Sequence, residues 1–143
     1  MRKVIVYTRK SDGGVTVCAP SQTCLRYMTC GGRWNGYPRG FLKTQIERQI
    51  EAGHDADAAV RFTMAMQFGG CSAGEAYAII RDRDCAHLGT GCELWYADEV
   101  PTDRTYRDAW VRSHNGGPIR VDPYKAMMID ERRAWEAYER CRY

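Results

Sequence analysis

A β-hairpin signature near the N-terminus constrains the fold of this chain more than any other feature. Residues 4–9 and 15–19 are rich in β-branched residues, and the segment KSDGG separates them at residues 10–14. The Asp-Gly-Gly part of that segment supplies the positive-φ positions that a tight turn between antiparallel strands requires. Pro20 ends the second strand, because proline has no N–H to donate to a neighbouring strand. The sequence therefore predicts an antiparallel hairpin at the start of the chain.

Apolar residues at helical spacing fill the middle of the chain. They predict one helix over residues 42–52, and a second helix that begins after Asp55 or Asp57 and ends near residue 68. A weaker signal at residues 21–28 predicts a short helical turn before them. The middle of the chain is therefore expected to be helical.

Capping residues mark two further helices. Ser72 and Glu75 have the spacing of a capping box, and the helix that follows them ends near residue 83. Asp122 followed by Pro123 is a strong start for a last helix, which extends nearly to the C-terminus.

Short segments lie between these two helices. Residues 93–97 and 119–121 are predicted strands that pack with the last helix. A short helix is indicated by the spacing of Tyr106, Ala109 and Trp110. The pattern predicts the α+β class in a single domain of residues 1–143: an N-terminal β-hairpin, a helical middle, short C-terminal strands and a long C-terminal helix.

The predicted core is formed by the widest apolar stripes. Ala59, Phe62 and Met66 form one stripe of the second helix, and Val60 and Met64 widen it, which implies deep burial. The side chains expected to be mostly buried are Phe62, Met66, Ile79, Ile80, Trp110 and Trp135. One face of the last helix is lined by Tyr124, Met128, Glu131, Trp135 and Tyr138, with Met127 and Ala134 beside it.

Positive charge is concentrated in the first third of the chain. Residues 1–43 contain eight Lys or Arg and one Asp, a net charge of +7, whereas residues 44–143 contain 13 Lys or Arg and 17 Asp or Glu, a net charge of −4. Such a split is typical of a surface that binds an anionic partner. The overall charge of +3 excludes a protein that imitates DNA with carboxylates.

The loop GGRWNGYPRGF at residues 31–41 lies in this basic part, and its arginines alternate with aromatic residues between glycines. Aromatic rings can stack on bases while Arg binds phosphate, and Trp, Tyr and Arg also dominate protein interfaces. A third interpretation is that the aromatic side chains anchor the loop to the core. We favour a protein partner over nucleic acid, since stacking platforms usually lie on sheets or barrels. The predicted binding residues are Arg26, Arg33, Trp34, Tyr37, Arg39, Phe41 and Lys43.

Other residues could carry chemistry, but none completes a known site. Cys85, His87 and Cys92 are zinc-type ligands at a spacing that matches no standard zinc motif. Asp82 and Asp84 could bind Mg²⁺ in a nuclease, but we favour a solvated helix end in which they pair with the neighbouring arginines. The chain has no phosphate-binding loop and no nucleophile signature. We therefore expect no enzyme activity, no catalytic residue, no metal and no cofactor.

Composition also bears on location. No apolar run approaches the roughly 18 residues that span a bilayer, and the run at residues 4–7 is too short for a signal peptide. Seven cysteines without an export signal indicate reduced thiols rather than a disulfide framework. We expect a cytoplasmic protein with no membrane contact.

Several separate segments carry a resemblance to known sequences. They are residues 12–15, 103–110, 117–122 and 125–126. In these segments the chain resembles a loose group of small proteins encoded by phages and prophages, chiefly of alphaproteobacterial type. The resemblance implies a phage origin and carries over no functional residue. It also implies a class of role, because small phage proteins are often inhibitors that occlude host machinery, CRISPR interference complexes included.

The charge pattern and the resemblance together rank three expectations for function. The first is a small phage accessory protein that binds and blocks a host protein complex in the host cytoplasm, as an anti-defence or anti-CRISPR inhibitor does. The second is a small nucleic-acid-binding protein that uses the basic N-terminal patch. The third is a metal-dependent nuclease around Asp82, Asp84 and His87.

Overall fold

The centre of the fold is a three-stranded antiparallel sheet, in a computed structural model that describes residues 2–142. β1 (Lys3–Arg9) is the middle strand, and it pairs with β2 (Val15–Cys18) on one side and β3 (Gly89–Tyr96) on the other. The predicted hairpin and the predicted α+β class are confirmed. The strand predicted at residues 93–97 belongs to this sheet, where it pairs with β1 instead of packing with the last helix.

Helices follow the hairpin: the first, third and fourth cover one face of the sheet, and the second packs on the third. They are α1 (Gln22–Cys30), α2 (Phe41–Glu51), α3 (Ala56–Phe68) and α4 (Ala73–Ile80), and α4 continues into a π-helical turn (Arg81–Cys85). The first turns of α1, α3 and α4 are capped by the side chains of Ser21, Asp55 and Ser72. None of the helices within residues 2–142 is both long and apolar enough to cross a membrane.

The larger core lies between these helices and the sheet. Alternate residues of a strand point to opposite faces, so Ile5 and Tyr7 of β1 both point to the helices. They meet a cluster formed by Met28, Phe62, Ala65, Met66, Ala76, Ile80 and Cys85. The predicted burial of Phe62, Met66 and Ile80 is confirmed, whereas Ile79 is only half-buried.

The outer side of α3 departs from the prediction. Val60 and Met64 are exposed to solvent rather than part of the core, and so is Phe68. These three residues lie four apart and therefore on one side of the helix, opposite to the side that holds Phe62 and Met66. α3 thus has a buried side and an exposed apolar side.

The other face of the sheet is covered by the segment between β3 and the last helix. Val4, Val6 and Val15 point to this face, and Trp110 packs on them with only 1% of its surface exposed. The predicted burial of Trp110 is confirmed. Trp110 begins β4 (Trp110–Val111), which pairs with β5 (Arg120–Val121) in a separate two-stranded ribbon.

Where a short helix containing Tyr106, Ala109 and Trp110 is predicted, the structure has no α-helix and only a 3₁₀ turn before Trp110. That segment contains 3₁₀ turns at Ala97–Glu99 and Arg107–Ala109 and is otherwise irregular. The Asp103 carboxylate accepts hydrogen bonds from the amide and the hydroxyl of Thr105, at 3.0 and 2.6 Å. Such local bonds compete with helix formation, because they satisfy the backbone in a turn.

A buried arginine joins this covering segment to the sheet. The guanidinium of Arg112, whose side chain has no exposed surface, donates to the Thr8 hydroxyl at 2.8 Å, to the Gly91 carbonyl at 2.9 Å and to the Glu93 carboxylate. Gly91 has a φ of +62° and lies in a bulge of β3, where the strand register with β1 shifts. Arg112 therefore satisfies a carbonyl group that the bulge removes from strand pairing.

The C-terminal ends of α1 and α3 meet, in an arrangement that we call the α1–α3 capping contact. Four hydrogen bonds run from amide to carbonyl across it: Gly32 to Gln67 (2.7 Å), Arg33 to Met66 (3.2 Å), Gly70 to Thr29 (2.9 Å) and Cys71 to Met28 (3.2 Å). The residues after each helix thus satisfy last-turn carbonyls of the other helix, which have no partner within their own helix. A Cβ atom on Gly69 would lie 2.6 Å from the Cys30 carbonyl carbon, so glycine is required there.

The last helix, α5 (Pro123–Arg140), lies at the edge of the molecule. It begins at Asp122, whose carboxylate accepts from the Tyr124 and Lys125 amides. Ile129 is its one buried residue among those described. The predicted burial of Trp135 is wrong, since this side chain is 62% exposed. The reason is that α5 rests on the covering segment through its opposite side.

Substituting Gly69 tests the α1–α3 capping contact. Gly69→Ala is expected to lower the free energy of unfolding by about 2–4 kcal/mol, because its Cβ meets backbone atoms and because its φ of +69° and ψ of −155° are open almost only to glycine. Gly70→Ala is the matched control: its φ is +89°, but no atom lies within 4 Å of the added Cβ. We expect it to cost about 1–2 kcal/mol in urea unfolding. Equal losses in the two variants would mean that the contact is not tight.

Removing the Arg112 guanidinium tests how the covering segment is joined to the sheet. Arg112→Met is expected to destabilise the protein by about 3–5 kcal/mol, because it leaves the Glu93 carboxylate without its partner. The double variant Arg112→Met/Glu93→Gln should recover part of this loss. Arg107→Met, at an exposed arginine, is the control and should change stability by less than about 0.5 kcal/mol. Chemical denaturation measures all three. A double variant no more stable than Arg112→Met would disprove the ion pair as the cause.

Candidate binding surface

The loop at residues 31–41 leaves the α1–α3 capping contact and leads into α2. The Trp34 amide donates to Gln67 Oε1 at 2.7 Å, and Gln67 Nε2 donates to Asn35 Oδ1 at 2.8 Å. Gln67 of α3 therefore holds the first part of the loop. Residues 35–40 are exposed to solvent.

Guanidinium groups and aromatic rings alternate along the surface at the start of this loop. Arg26 and Arg33 both lie over the ring of Tyr27, with the guanidinium carbon 5.9 and 5.8 Å from the ring centroid. Arg33 also lies 5.6 Å from the centroid of the Trp34 ring. These distances lie within the cation–π range, so the rings attract both guanidinium groups.

Aromatic side chains continue the series and form a pocket. The Phe41 ring centroid is 6.4 Å from that of Trp34 and 4.4 Å from that of Tyr37. Tyr37, Phe41 and Phe68 line a surface pocket of about 290 Å³, together with Arg39. Tyr37 is 51% exposed, so the pocket is open to a partner.

We call this region the Arg–aromatic surface. Its members are Arg26, Tyr27, Arg33, Trp34, Tyr37, Arg39, Phe41 and Phe68. It brings together six of the seven residues that the sequence predicts for binding. Lys43, the seventh, is in the first turn of α2, where its ammonium nitrogen lies 3.9 Å from the Glu47 carboxylate.

The Arg–aromatic surface is electropositive for two reasons. No carboxylate of residues 2–142 lies within 4 Å of the guanidinium groups of Arg26, Arg33 or Arg39. In addition, α2 begins at the pocket rim with no acidic residue in its first turn and no side-chain cap. The positive end of the α2 dipole therefore adds to the arginine charges.

The remaining cations of the basic N-terminal third are elsewhere. Arg9 forms a salt bridge of 2.8 Å with Asp12 in the hairpin, which cancels its charge locally. Arg9 and Lys10 border a different pocket, beside His87. The net charge of +7 in the sequence is therefore divided between at least two regions of the molecule.

Two members of the Arg–aromatic surface are absent from the sequence prediction. Tyr27 lies between Arg26 and Arg33, and Phe68 contributes to the pocket from the end of α3. One sequence signal indicates that Phe68 is exposed: it directly precedes Gly69-Gly70, which end the helix, and residues at a helix end are often exposed. Its pairing with residues 31–41 depends on the α1–α3 capping contact, which sequence spacing does not reveal.

The two carboxylates considered for a nuclease are ion-paired. Asp82 lies 3.2 Å from Arg81 Nε and 3.5 Å from an Arg61 nitrogen, and Asp84 lies 2.9 Å from Arg83 Nε. The Arg83 guanidinium in turn covers the Phe62 ring at 3.7 Å. These carboxylates are held by arginines of the π-helical turn and α3.

The residues considered for a zinc site are spread over different environments. Cys85 is buried, and a hydrogen bond between its thiol and Cys18 lowers the pKa of Cys18 to about 7 and raises the pKa of Cys85. His87 is exposed in the turn that follows, and Cys92 is half-buried in β3. Within residues 2–142, no three His, Cys, Asp or Glu side chains are grouped closely enough to hold a metal ion. All seven cysteines are free thiols.

Comparison of this chain with protein-family models, with curated proteins and with solved structures finds no match.

Gln67 offers a test of how the loop is held. Gln67→Ala should speed hydrogen exchange of the Trp34 amide by several-fold to about tenfold, because the variant loses one hydrogen bond of about 0.5–1.5 kcal/mol. Exchange can be followed by mass spectrometry on peptides that cover residues 32–40. Gln22→Ala, at an exposed position of α1, is the control and should leave this peptide unchanged. If both variants exchange at the wild-type rate, Gln67 does not restrain the loop.

Proposed function

We propose that the protein is a binding protein that docks its Arg–aromatic surface onto an acidic face of a host protein complex and blocks that complex by occlusion. The observation that carries the proposal is the series of guanidinium groups and aromatic rings that leads from Arg26 to an open pocket. Trp, Tyr and Arg are the residues that contribute most to binding energy in protein interfaces. The phage resemblance of the sequence supports an inhibitory role against host defence.

The arrangement of the arginines suits recognition of carboxylates. A guanidinium that lies over an aromatic ring keeps its N–H groups directed outward in the plane of the group. Arg26 and Arg33 lie at cation–π distance from Tyr27, and Arg33 also from Trp34. A partner carboxylate could accept two hydrogen bonds from one such group, and the ring contact would limit the side-chain entropy that the arginine loses on binding.

The pocket defines the second requirement for the partner. Tyr37, Phe41 and Phe68 give it apolar walls, and Arg39 lies at its edge. An apolar side chain flanked by Asp or Glu residues fits both properties. The expected contact on the partner is therefore an acidic surface that presents one large apolar side chain.

Nucleic acid is the second candidate for the same surface, and the ring geometry favours protein over it. Base stacking requires a free ring face. The Tyr37 ring has one face packed at 4.4 Å on Phe41, and Trp34 is half-buried against the core, so neither ring is free on both faces. Both faces of the sheet, where stacking platforms usually lie, are covered by other parts of the chain.

Two exposed residues test the proposal without disturbing the core. Tyr37→Ala and Arg39→Ala should each weaken binding to the partner complex by about 2 kcal/mol and change stability by less than about 0.5 kcal/mol. Matched controls are Tyr96→Ala and Arg107→Ala, at an exposed tyrosine and an exposed arginine away from this surface. The measurement is co-purification of the partner from nuclease-treated host lysate, together with thermal unfolding of each variant. Retained binding in both test variants would refute the proposed surface.

A direct titration separates the two candidate partners. Purified wild-type protein should not bind duplex DNA, single-stranded DNA or RNA at physiological salt. Binding to any of these that is lost in Arg39→Ala would assign the surface to nucleic acid instead, with affinity that falls steeply as salt rises.

A further inference from the structure

The apolar stripe of α5 faces solvent instead of the core. Tyr124, Met127, Met128, Trp135 and Tyr138 are between 49% and 66% exposed. They lie at helical spacing on one side of α5, and the rings of Trp135 and Tyr138 pack together at 5.5 Å. Monomeric proteins rarely expose a continuous stripe of large apolar side chains, because such a stripe lowers the free energy when it is covered.

The opposite side of α5 already has its contacts. Ile129 is buried, the Tyr106 hydroxyl donates to the Asp130 carboxylate at 3.0 Å, and Arg133 donates to the Thr105 carbonyl at 2.7 Å. Arg133 also lies over the Tyr106 ring. α5 is therefore fixed with its stripe outward, and a rotation that buried the stripe would break these contacts.

The charges of α5 fit a second copy of the same helix. The helix carries four cations (Lys125, Arg132, Arg133, Arg140) and four anions (Asp130, Glu131, Glu136, Glu139), so two copies have no net repulsion. Glu131, the charged residue in the middle of the stripe, is followed directly by Arg132. An antiparallel second copy with its two-fold axis between these residues would place Glu131 of each copy against Arg132 of the other.

We propose that the protein forms a symmetric dimer in which the α5 stripes of two copies pack antiparallel. The same alignment places Met128 of each copy opposite Trp135 of the other, and Lys125 near Glu139. The symmetry repeats this Met128–Trp135 apolar pair on both sides of the axis, and opposite charges meet at both ends and at the centre. Such self-complementarity is the requirement of a two-fold interface.

The size of the stripe sets the expected strength. It runs from Tyr124 to Tyr138, which is 15 residues and about 21 Å of helix. If each of the five exposed side chains buries about 100 Å², a pair of copies buries roughly 1,000 Å², the lower limit of a specific interface. The dimer should therefore dissociate reversibly on dilution.

Charge reversal tests the alignment in the full chain. Sedimentation velocity should show a monomer–dimer equilibrium over a wide range of protein concentration. Reductant is present to keep the exposed Cys30 and Cys141 from cross-linking. Glu131→Arg should weaken the dimer by about tenfold or more, because it sets two arginines against each other across the axis. The double variant Glu131→Arg/Arg132→Glu should restore it, because the opposed pair is re-formed with its signs exchanged.

Matched methionines locate the interface. Met128→Glu should weaken the dimer by about tenfold or more, whereas Met64→Glu, at an exposed methionine of α3, should leave it intact. A chain that stays monomeric at every concentration would overturn the proposal, and so would a dimer that is lost in Met64→Glu and kept in Met128→Glu. A tighter dimer in Glu131→Arg would overturn the antiparallel alignment. A monomer that co-sediments with phosphatidylserine vesicles would assign the stripe to a lipid surface instead.

Discussion

The α1–α3 capping contact positions the loop on which the proposed function rests. Gly31 and Gly69 pass within backbone contact of each other, and hydrogen bonds run in both directions across the crossing. Helix ends normally leave carbonyl groups to be satisfied by caps or water. Here each helix end supplies the amides that the other needs. The contact also brings Phe68 beside the loop at residues 31–41, so a local backbone requirement creates the pocket of the Arg–aromatic surface.

The sheet itself is unavailable for binding, because the chain covers both of its faces. Helices α1, α3 and α4 pack on one face, and the segment after β3 packs on the other, where Trp110 and Arg112 hold it. Arg112 is a cation used for structure: its guanidinium is fully buried and bonded. Arg26, Arg33 and Arg39 have the opposite character, since they are exposed and lie apart from the carboxylates of residues 2–142. Exposed guanidinium groups without an intramolecular carboxylate partner are suited to intermolecular contact.

Sequence reasoning predicted the hairpin, the four middle helices and the last helix, because their signals are local: a turn motif, caps and apolar spacing. It placed Trp135, Val60 and Met64 wrongly in the core, because periodicity shows that a helix has an apolar side but not whether anything covers that side. It missed the helix-breaking turn at Asp103 and Thr105 for a related reason, since Tyr106, Ala109 and Trp110 have helical spacing without a helix. Among the site residues, Tyr27 and Phe68 depend on contacts between distant segments, which spacing along the chain cannot supply.

The Arg–aromatic surface contains residues that pack against the core and residues that are free to contact a partner, and the two kinds are neighbours in the sequence. Trp34 is an anchor as much as a contact, because its amide is bonded to Gln67 and its ring packs against the core. Truncating it would lower stability and binding together, so a loss of binding would not identify an interface. Tyr37 and Arg39 lie beyond the restrained part of the loop and are exposed. A loss of binding at these positions with unchanged stability has one physical explanation, the loss of a contact made to the partner.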